Sequence, residues 1–433
     1  MKKKFFLLIV SVAAILLLAA CTNNEPMNHD NMDHNDMDHE NMEEQEHQDH
    51  GEDAASNDID RDGFAQAPTN FNKNASDNLL SLNTKNITRL NTNDPIEAAV
   101  LASQTTFPST HEENQPGTVI LVPVNEWQLG LASANLIHHP NNGPILFISE
   151  NEIPALTKNE LTRLNPIGNV EGTQVMVMGD VSESVLSELD DYQVETIQGS
   201  DYAKFAASVD EKFANVVGGN YPESVIVVSS DEEAKLFSLV AANWIAHMNE
   251  SILYVSKDDI PEATIEALTK RNNANIYLLG PESILSSGLE KKLSEFGKVT
   301  RIAGENPVTT SISFASFKDK DTSFGWGLTE PGHGVSFIST QTPILAIAGA
   351  PFSHLGKHAP VIWLEDGEVE EPLYKFLATI KPTFTDDPTQ GSYNHGFILG
   401  TINDVSYQTQ GILDDKLEIV SASGDGHGDH GGH

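Results

Sequence analysis

The chain has 433 residues, 39 % of them hydrophobic and 20 % charged, and a formal net charge of −38 at pH 7. That length exceeds one ordinary core and suits several domains of about 100 residues plus tails. The acidity excludes nucleic acid as a partner, since phosphate binding needs clustered Lys and Arg, and the single cysteine excludes a disulfide within the chain.

In chain order, Lys2, Lys3 and Lys4 precede an apolar run over 5–20, and Leu18-Ala19-Ala20 lead into Cys21. A basic start, an apolar stretch and small residues before a cysteine predict a signal peptide over 1–20 and a lipid on Cys21. No later stretch reaches the roughly 18 apolar residues a membrane span needs. The protein is therefore expected outside the cell, held to the membrane by acyl chains.

Residues 21–85 form a tail and linker. Residues 22–63 hold fifteen Asp/Glu against Arg61 alone, the leader adds +3, and the remainder from 64 onward carries −27. Low hydrophobicity and high charge predict disorder over 22–63 and a linker over 64–85 that stands the folded part off the membrane. The tail is patterned, with Met27 and His29, Met32 and His34, and Met37 and His39 opening three consecutive pentads. A fourth starts at Met42 and fades toward His47 and His50. Thioether and imidazole together suit Cu(I), while imidazole with carboxylate suits Cu(II) or Zn(II). The pentads resemble the Met-Asp-His repeats of bacterial copper-resistance proteins. The C-terminal tail, 421–433, spaces His427, His430 and His433 along a Gly/Asp chain, a second weak metal ligand set. The other reading of both tails is a solvated polyanionic linker with incidental histidines.

Between the tails one order of elements is written three times, over 86–192, 193–298 and 299–420. The marker is an apolar strand, Pro144-Ile145-Leu146-Phe147-Ile148, then Ser251-Ile252-Leu253-Tyr254-Val255, then Pro360-Val361-Ile362-Trp363-Leu364. Spacings of 107 and 109 residues mark a repeat of whole domains. The first copy opens at 87–90, followed by a helix that Asp94 caps and Pro95 starts. Strands follow over 118–122, 144–148 and 174–178, the last ending at Gly179, with helices over 129–137, 158–164 and 181–189. The second copy opens at 196–199, with strands over 224–228, 252–255 and 275–279 before Gly280 and helices over 202–213, 233–247, 262–271 and 286–296. The third opens at 300–304, with a helix through 317 and strands over 335–338, 361–364 and 396–399 before Gly400. Alternating strands and helices predict an α/β fold with parallel sheets.

These residues resemble the type-2 cell wall-binding repeat of Gram-positive surface proteins. The resemblance rests on the opener Arg301-Ile302-Ala303-Gly304 with Thr309 and Thr310, on the apolar marker strand, and on the glycine exits Gly179, Gly280 and Gly400. It covers roughly 86–420. It implies three tandem flavodoxin-like modules packed as an intramolecular pseudo-threefold trimer in a monomeric chain. It also implies non-covalent attachment to a cell-wall polymer, either an anionic secondary polymer or peptidoglycan. Under it, Arg89, Arg301, Ile145, Leu146, Ile252, Leu253, Val361 and Ile362 are the candidate polymer-binding residues. The copies depart from the family: its Asp-Ala-Leu after the first strand is missing, its Gly-Gly exit is Gly-Asp, Gly-Pro or Gly-Thr, and Thr196 stands where Arg opens the other copies. With −27 on the folded part, an anionic polymer requires a basic patch or a bridging cation.

No nucleophile elbow, His-Glu-x-x-His, P-loop or paired-cysteine motif is present. His333, His354, His358 and His395 crowd the third copy, and His138-His139 end a helix of the first. They are either a metal or catalytic site or scattered surface and core histidines. The reading favoured by the sequence is a non-enzymatic, lipid-anchored wall-binding scaffold that requires no cofactor, with Cu or Zn held by its tails. The alternative is a copper- or zinc-binding lipoprotein for metal capture or resistance, in which the repeats are structural.

Overall fold

A computed structural model describes residues 60–422; Cys21 and the Met/His ligands of both tails lie outside the described residues. Strands follow as β1 (Ile87–Leu90), β2 (Val119–Pro123), β3 (Ile145–Ile148), β4 (Val175–Met178), β5 (Val194–Ile197), β6 (Ser224–Ser229) and β7 (Ile252–Val255). Then come β8 (Ala274–Leu279), β9 (Gly297–Ile302), β10 (Gly334–Ser339), β11 (Val361–Leu364), β12 (Thr383–Phe384), β13 (His395–Leu399) and β14 (Val420–Ser421). They build three parallel four-stranded sheets, ordered β3-β2-β4-β5, β7-β6-β8-β9 and β11-β10-β13-β1, with β12 and β14 as a small parallel pair. Helices cross between strands, so the central strands are covered on both faces and read as continuous apolar runs. Every residue of β2, β3, β4, β6 and β7 is buried. The α/β class and its parallel pairing agree with the sequence.

Membership of the edge strands differs from the sequence boundaries. The opener of each copy hydrogen-bonds into the sheet of the copy before it. β5 pairs with β4 (Val175 opposite Val194) and β9 with β8 (Ala274 opposite Gly297), so divisions at 192/193 and 298/299 separate edge strands from their sheets. β1 has no earlier copy to join and instead completes the third sheet, with Ile87 opposite Gly396 and Leu90 opposite Leu399. The chain thus closes a ring, its first strand sewn to its last module.

Local chemistry explains the repeated opener. Each opener leads into a helix capped by a short polar side chain: Asp94 Oδ1 accepts from the Glu97 amide at 3.0 Å, Asp201 from Lys204 at 2.8 Å, and Asn306 from Thr309 at 2.8 Å. The glycine between strand and cap gives the helix room. A Cβ at Gly304 would lie 2.4 Å from the Thr309 carbonyl carbon, and one at Gly199 would lie 2.3 Å from the Phe205 nitrogen. Gly304 N–H also donates to Thr310 Oγ1 at 2.9 Å, which gives the second threonine of the opener its role.

One core cluster draws on all three sheets, including Ile120, Tyr254 and Trp363. The aromatic at the third position of each marker strand packs at this junction. Tyr254 donates its hydroxyl to the Gln128 carbonyl at 2.7 Å, and Trp363 donates Nε1 to the Leu236 carbonyl at 2.8 Å, so each grips a helix of the preceding copy. Buried asparagines add polar stitches: Ser251 Oγ donates to Asn135 Oδ1 at 2.7 Å, and Asn243 Nδ2 donates to the Ala359 carbonyl at 2.5 Å. Buried amide donors and acceptors need such partners, and these bonds tie the packed modules in register, although Asn243 Oδ1 is left without a partner.

The disorder expected up to residue 63 and the linker expected from residue 64 both need revision where they meet. The helix Arg61–Phe64 docks on the third module, where Arg61 Nη1 donates to the carbonyls of Ala378 (2.9 Å) and Lys381 (3.0 Å). Lys416 Nζ reaches back to the carbonyls of Phe64 (2.9 Å) and Gln66 (2.8 Å). Four charge-assisted bonds outweigh the entropy that composition alone assigns to so short a segment. No helix among the described residues is long and apolar enough to cross a membrane.

Candidate functional site

Open α/β sheets bind ligands beyond the carboxyl ends of their strands, and the first two modules have crevices there. The first is a cavity of about 380 Å³ beneath Pro123 at the end of β2. It is lined by Glu126, Glu150, Asp180, Asp201 and Tyr202, over a floor of Leu129 and Phe205. Gly179 turns the chain out of β4 with φ +82°, and a Cβ there would press 2.6 Å from Leu129 Cδ1. Tyr202 donates its hydroxyl to Glu126 at 2.7 Å; that bond, then burial, pushes the phenol up to about 12. The second crevice, about 300 Å³, lies beyond β6 and β7 between Ser229, Asp231, Glu233, Lys257 and Ser283. In the third module Asp404 accepts from the Thr401 amide (2.8 Å) and hydroxyl (2.7 Å), folding the exit loop over the strand ends.

The charge of these crevices limits what they take. Four carboxylates and no lysine or arginine line the first, and two carboxylates face one lysine in the second. Such linings repel a bare polyanion and favour hydroxyl-rich, amine-bearing or cation-bridged ligands. The sequence reading missed these acids, although each lies within four residues of a strand's carboxyl end, where ligand contacts concentrate.

The residues named for polymer contact sit elsewhere. Ile145, Leu146, Ile252, Leu253, Val361 and Ile362 are each at most 1 % exposed, on β3, β7 and β11, which end their sheets yet are covered by packing between the copies, so no ligand reaches them. Arg89, 7 % exposed, is a structural clamp: Nε donates to Gln410 Oε1 (2.7 Å), Nη1 to the Gly400 carbonyl (2.9 Å) and Nη2 to the Val405 carbonyl (2.8 Å). Arg301 repeats the motif, with Nη1 on the Gly280 carbonyl at 2.7 Å and Nε and Nη2 on Glu290. The arginine of the opener thus holds the carbonyl of the exit glycine, two features that the sequence presents separately. Burial lowers the Arg89 guanidinium to about 10, still charged at neutral pH.

The histidines divide. His395 Nε2 lies 3.0 Å from Thr88 Oγ1 and ties β13 to β1. His138 and His354, from the first and third copies, meet with Nδ1 atoms 2.8 Å apart, and the His247 ring of the second copy lies 5.8 Å from that of His138. Burial, then the neighbouring His138, His247 and His139, push His354 down to about 3, so it is neutral at pH 7. Among the described residues, no group of three or more His, Cys, Asp or Glu could hold a metal ion.

No protein-family model matches the chain, and no curated protein matches it in sequence. Among solved structures it is similar to Cwp6 from Clostridium difficile, with a TM-score of 0.60 and 18 % identity over 75 % of this chain and 48 % of that one. It is likewise similar to Cwp8 from Clostridium difficile, with a TM-score of 0.59 and 16 % identity over 77 % of this chain and 52 % of that one. The chain thus spans about half the length of either protein, and at such identity what they share with it is the fold.

Proposed function

We propose that the chain is a lipid-anchored, extracytoplasmic scaffold that binds a cell-wall polymer without catalysing a reaction. The observation that carries this reading is the fold of three parallel four-stranded sheets, similar to Cwp6 and Cwp8 of Clostridium difficile. The leader ending at Cys21 and the resemblance of the copies to wall-binding repeats support it independently. The acid-lined crevices make the ligand a neutral glycan or an anionic polymer bridged by divalent cations.

The test is sedimentation of the full chain, carrying Cys21→Ser so that no lipid holds it, with purified walls. Retention is expected, with loss after the secondary polymers are stripped. Loss on chelation alone identifies the cation-bridged form. Asp180→Ala together with Glu150→Ala should alter retention, because both line the larger crevice. No retention at any ionic strength, with or without calcium, overturns the proposal. A second reading, capture of copper or zinc by the tails, is favoured by the Met/His pentads; unchanged Cu(I) affinity after Met-to-Leu and His-to-Asn replacement in residues 22–63 removes it.

A further inference from the structure

In each copy the small-residue helical segment ends just before the marker strand, at the opposite ends of the strands from the crevices, and each end carries histidine. The segment Ile137–Asn141 brings His138 and His139 to β3, His247 precedes β7, and the segment Ser353–Lys357 with His358 precedes β11. Packing of the copies gathers these imidazoles at one junction. Ring centroids are 4.0 Å apart for His138 and His139, 4.5 Å for His138 and His354, 5.8 Å for His138 and His247, and 4.3 Å for His247 and His358. Across it, His138 Nδ1 of the first copy lies 2.8 Å from His354 Nδ1 of the third, and His354 Nε2 lies 2.8 Å from Asn142 Oδ1. A bond between two imidazole nitrogens holds one proton, because one ring donates and the other must keep a lone pair. The pair can take up one further proton with that bond intact. A second sets N–H against N–H and puts two like charges side by side. Most groups that face the pair are cationic or become so in acid. His139 adjoins His138, His247 acts on His354 from the second copy, and Lys357 and His358 follow on the segment of His354. A carboxylate, Glu113, faces them across a cavity of about 440 Å³ that His354 and Asn142 also line. The helix Tyr202–Val216 packs on the segment of His138, and its Asp210, Glu211 and Lys212 are held in ion pairs by Arg271, by Lys270, and by Glu171 with Glu195. Its Lys204 sits toward the crevice end.

We propose that the His138–His354 pair is an acid-sensitive latch: uptake of two protons releases it, and the junction of the third and first copies opens at this end while the other two junctions stay shut. Those two are joined by side chains that do not titrate, Asn135 with Ser251 and Asn243 with the Ala359 carbonyl. At neutral pH the latch is closed, with burial, then His138, His247 and His139, holding His354 down to about 3 against an ordinary 6.5. A base whose pKa is depressed on closure stabilises the closed form fully above about pH 6.5 and loses that contribution as pH falls toward the lower value. Between pH 7 and 5 this one group shifts the balance toward the open form about 25-fold. Apolar contacts at the same junction, such as Ile347 against Gly130, do not titrate and confine the opening to the end where the strands begin. The latch belongs to the scaffold and does not depend on what the crevices bind.

The experiment is hydrogen exchange on the full chain with Cys21→Ser, at pH 7 and pH 5, each rate corrected for the intrinsic dependence of amide exchange on pH. Peptides covering 137–142 and 353–358 should lose protection about 25-fold or more at pH 5, while those covering β6, β8 and 239–245 change by less than about 3-fold. His138→Gln with His354→Gln keeps hydrogen-bonding side chains but removes their titration, so the same peptides should exchange alike at both pH values. His111→Gln, at an exposed loop histidine of the first copy, should keep the parent's response. Equal protection of 137–142 and 353–358 at both pH values in the parent chain overturns the proposal, whether or not the double variant folds. So does an equal loss across all peptides, which is acid unfolding of the whole ring, or a pH response that the double variant retains. Wall retention is read separately, so either proposal can fail alone.

Discussion

Replacing Arg89 by alanine should loosen the ring at its closure. Arg89 joins β1 to a turn and helix 311 to 321 residues later, so its bonds hold the most non-local pairing in the fold. Burial that lowers the guanidinium from 12.5 to about 10 disfavours the charge by about 3 kcal/mol. Three charge-assisted hydrogen bonds, roughly 1.5–3 kcal/mol each, more than offset that. Truncation relieves the burial term but strands three buried acceptors, for a net loss of about 3 kcal/mol. Arg301→Ala should cost only about 1 kcal/mol, because its partner Glu290 is 34 % exposed and water replaces the guanidinium. Hydrogen exchange reads the difference locally. Amides of β1 should exchange about 100-fold faster in Arg89→Ala, with those of β6 and β8 little changed. Wall retention per folded molecule should stay at the parent level, since the side chain faces inward. Unchanged β1 exchange, or a larger loss from Arg301→Ala, would refute the clamp.

Three further outcomes follow from buried contacts. Arg271 and Asp210 form a fully buried two-point pair at 2.6 and 2.9 Å, so Asp210→Ala should cost about 3–5 kcal/mol in urea denaturation. Asp210→Ala with Arg271→Leu should recover much of that loss; a double variant no better than the single contradicts the stranded-charge explanation. Gly304→Ala forces a Cβ to 2.4 Å from Thr309 and should cost about 1–3 kcal/mol by thermal melting, a value near zero meaning that the helix shifts freely. Burial, then Lys357, holds His395 below its ordinary 6.5, so the unfolded chain takes up its proton first as pH falls. Its contribution is complete above pH 6.5 and declines from there toward the lower folded value. His395→Gln should therefore flatten the stability profile between pH 7 and 5, and parallel profiles would count against this.

Elements were legible wherever local chemistry decides them. The β-branched runs of β2 and β6, the Asp94-Pro95 helix start and the marker strands all lie where periodicity and capping put them. Sheet membership was not legible, because a strand such as β5 carries no local mark of whether it joins the sheet before or after it. Arg89 reads as a free cation in sequence, since its three acceptors are a side-chain amide and two carbonyls far along the chain. The histidines of the third copy read as scattered because their partners belong to other copies. Comparing helix ends across copies, rather than counting histidines within one, was the available signal. The stretch around Arg61, expected as the end of a disordered tail and the start of a linker, was misjudged because composition measures burial potential and misses bonds to backbone carbonyls.

The ring is threefold in fold but not in chemistry. Asn135 and Asn243 occupy the same place in their helices, and each stitches its copy to the next through a buried amide. The third helix has Pro351 there, which has no side-chain donor. The polar contact between the third and first copies instead runs through His354 to His138 and Asn142. Amide stitches do not respond to pH, whereas an imidazole pair does. The third module is also the one completed by β1, so the imidazole contact and the non-local strand pairing fall at the same junction. A ring built this way has one seam, and the histidine junction and the Arg89 clamp lie on it. Opening there would separate the first and third copies while leaving the other two amide-stitched interfaces intact.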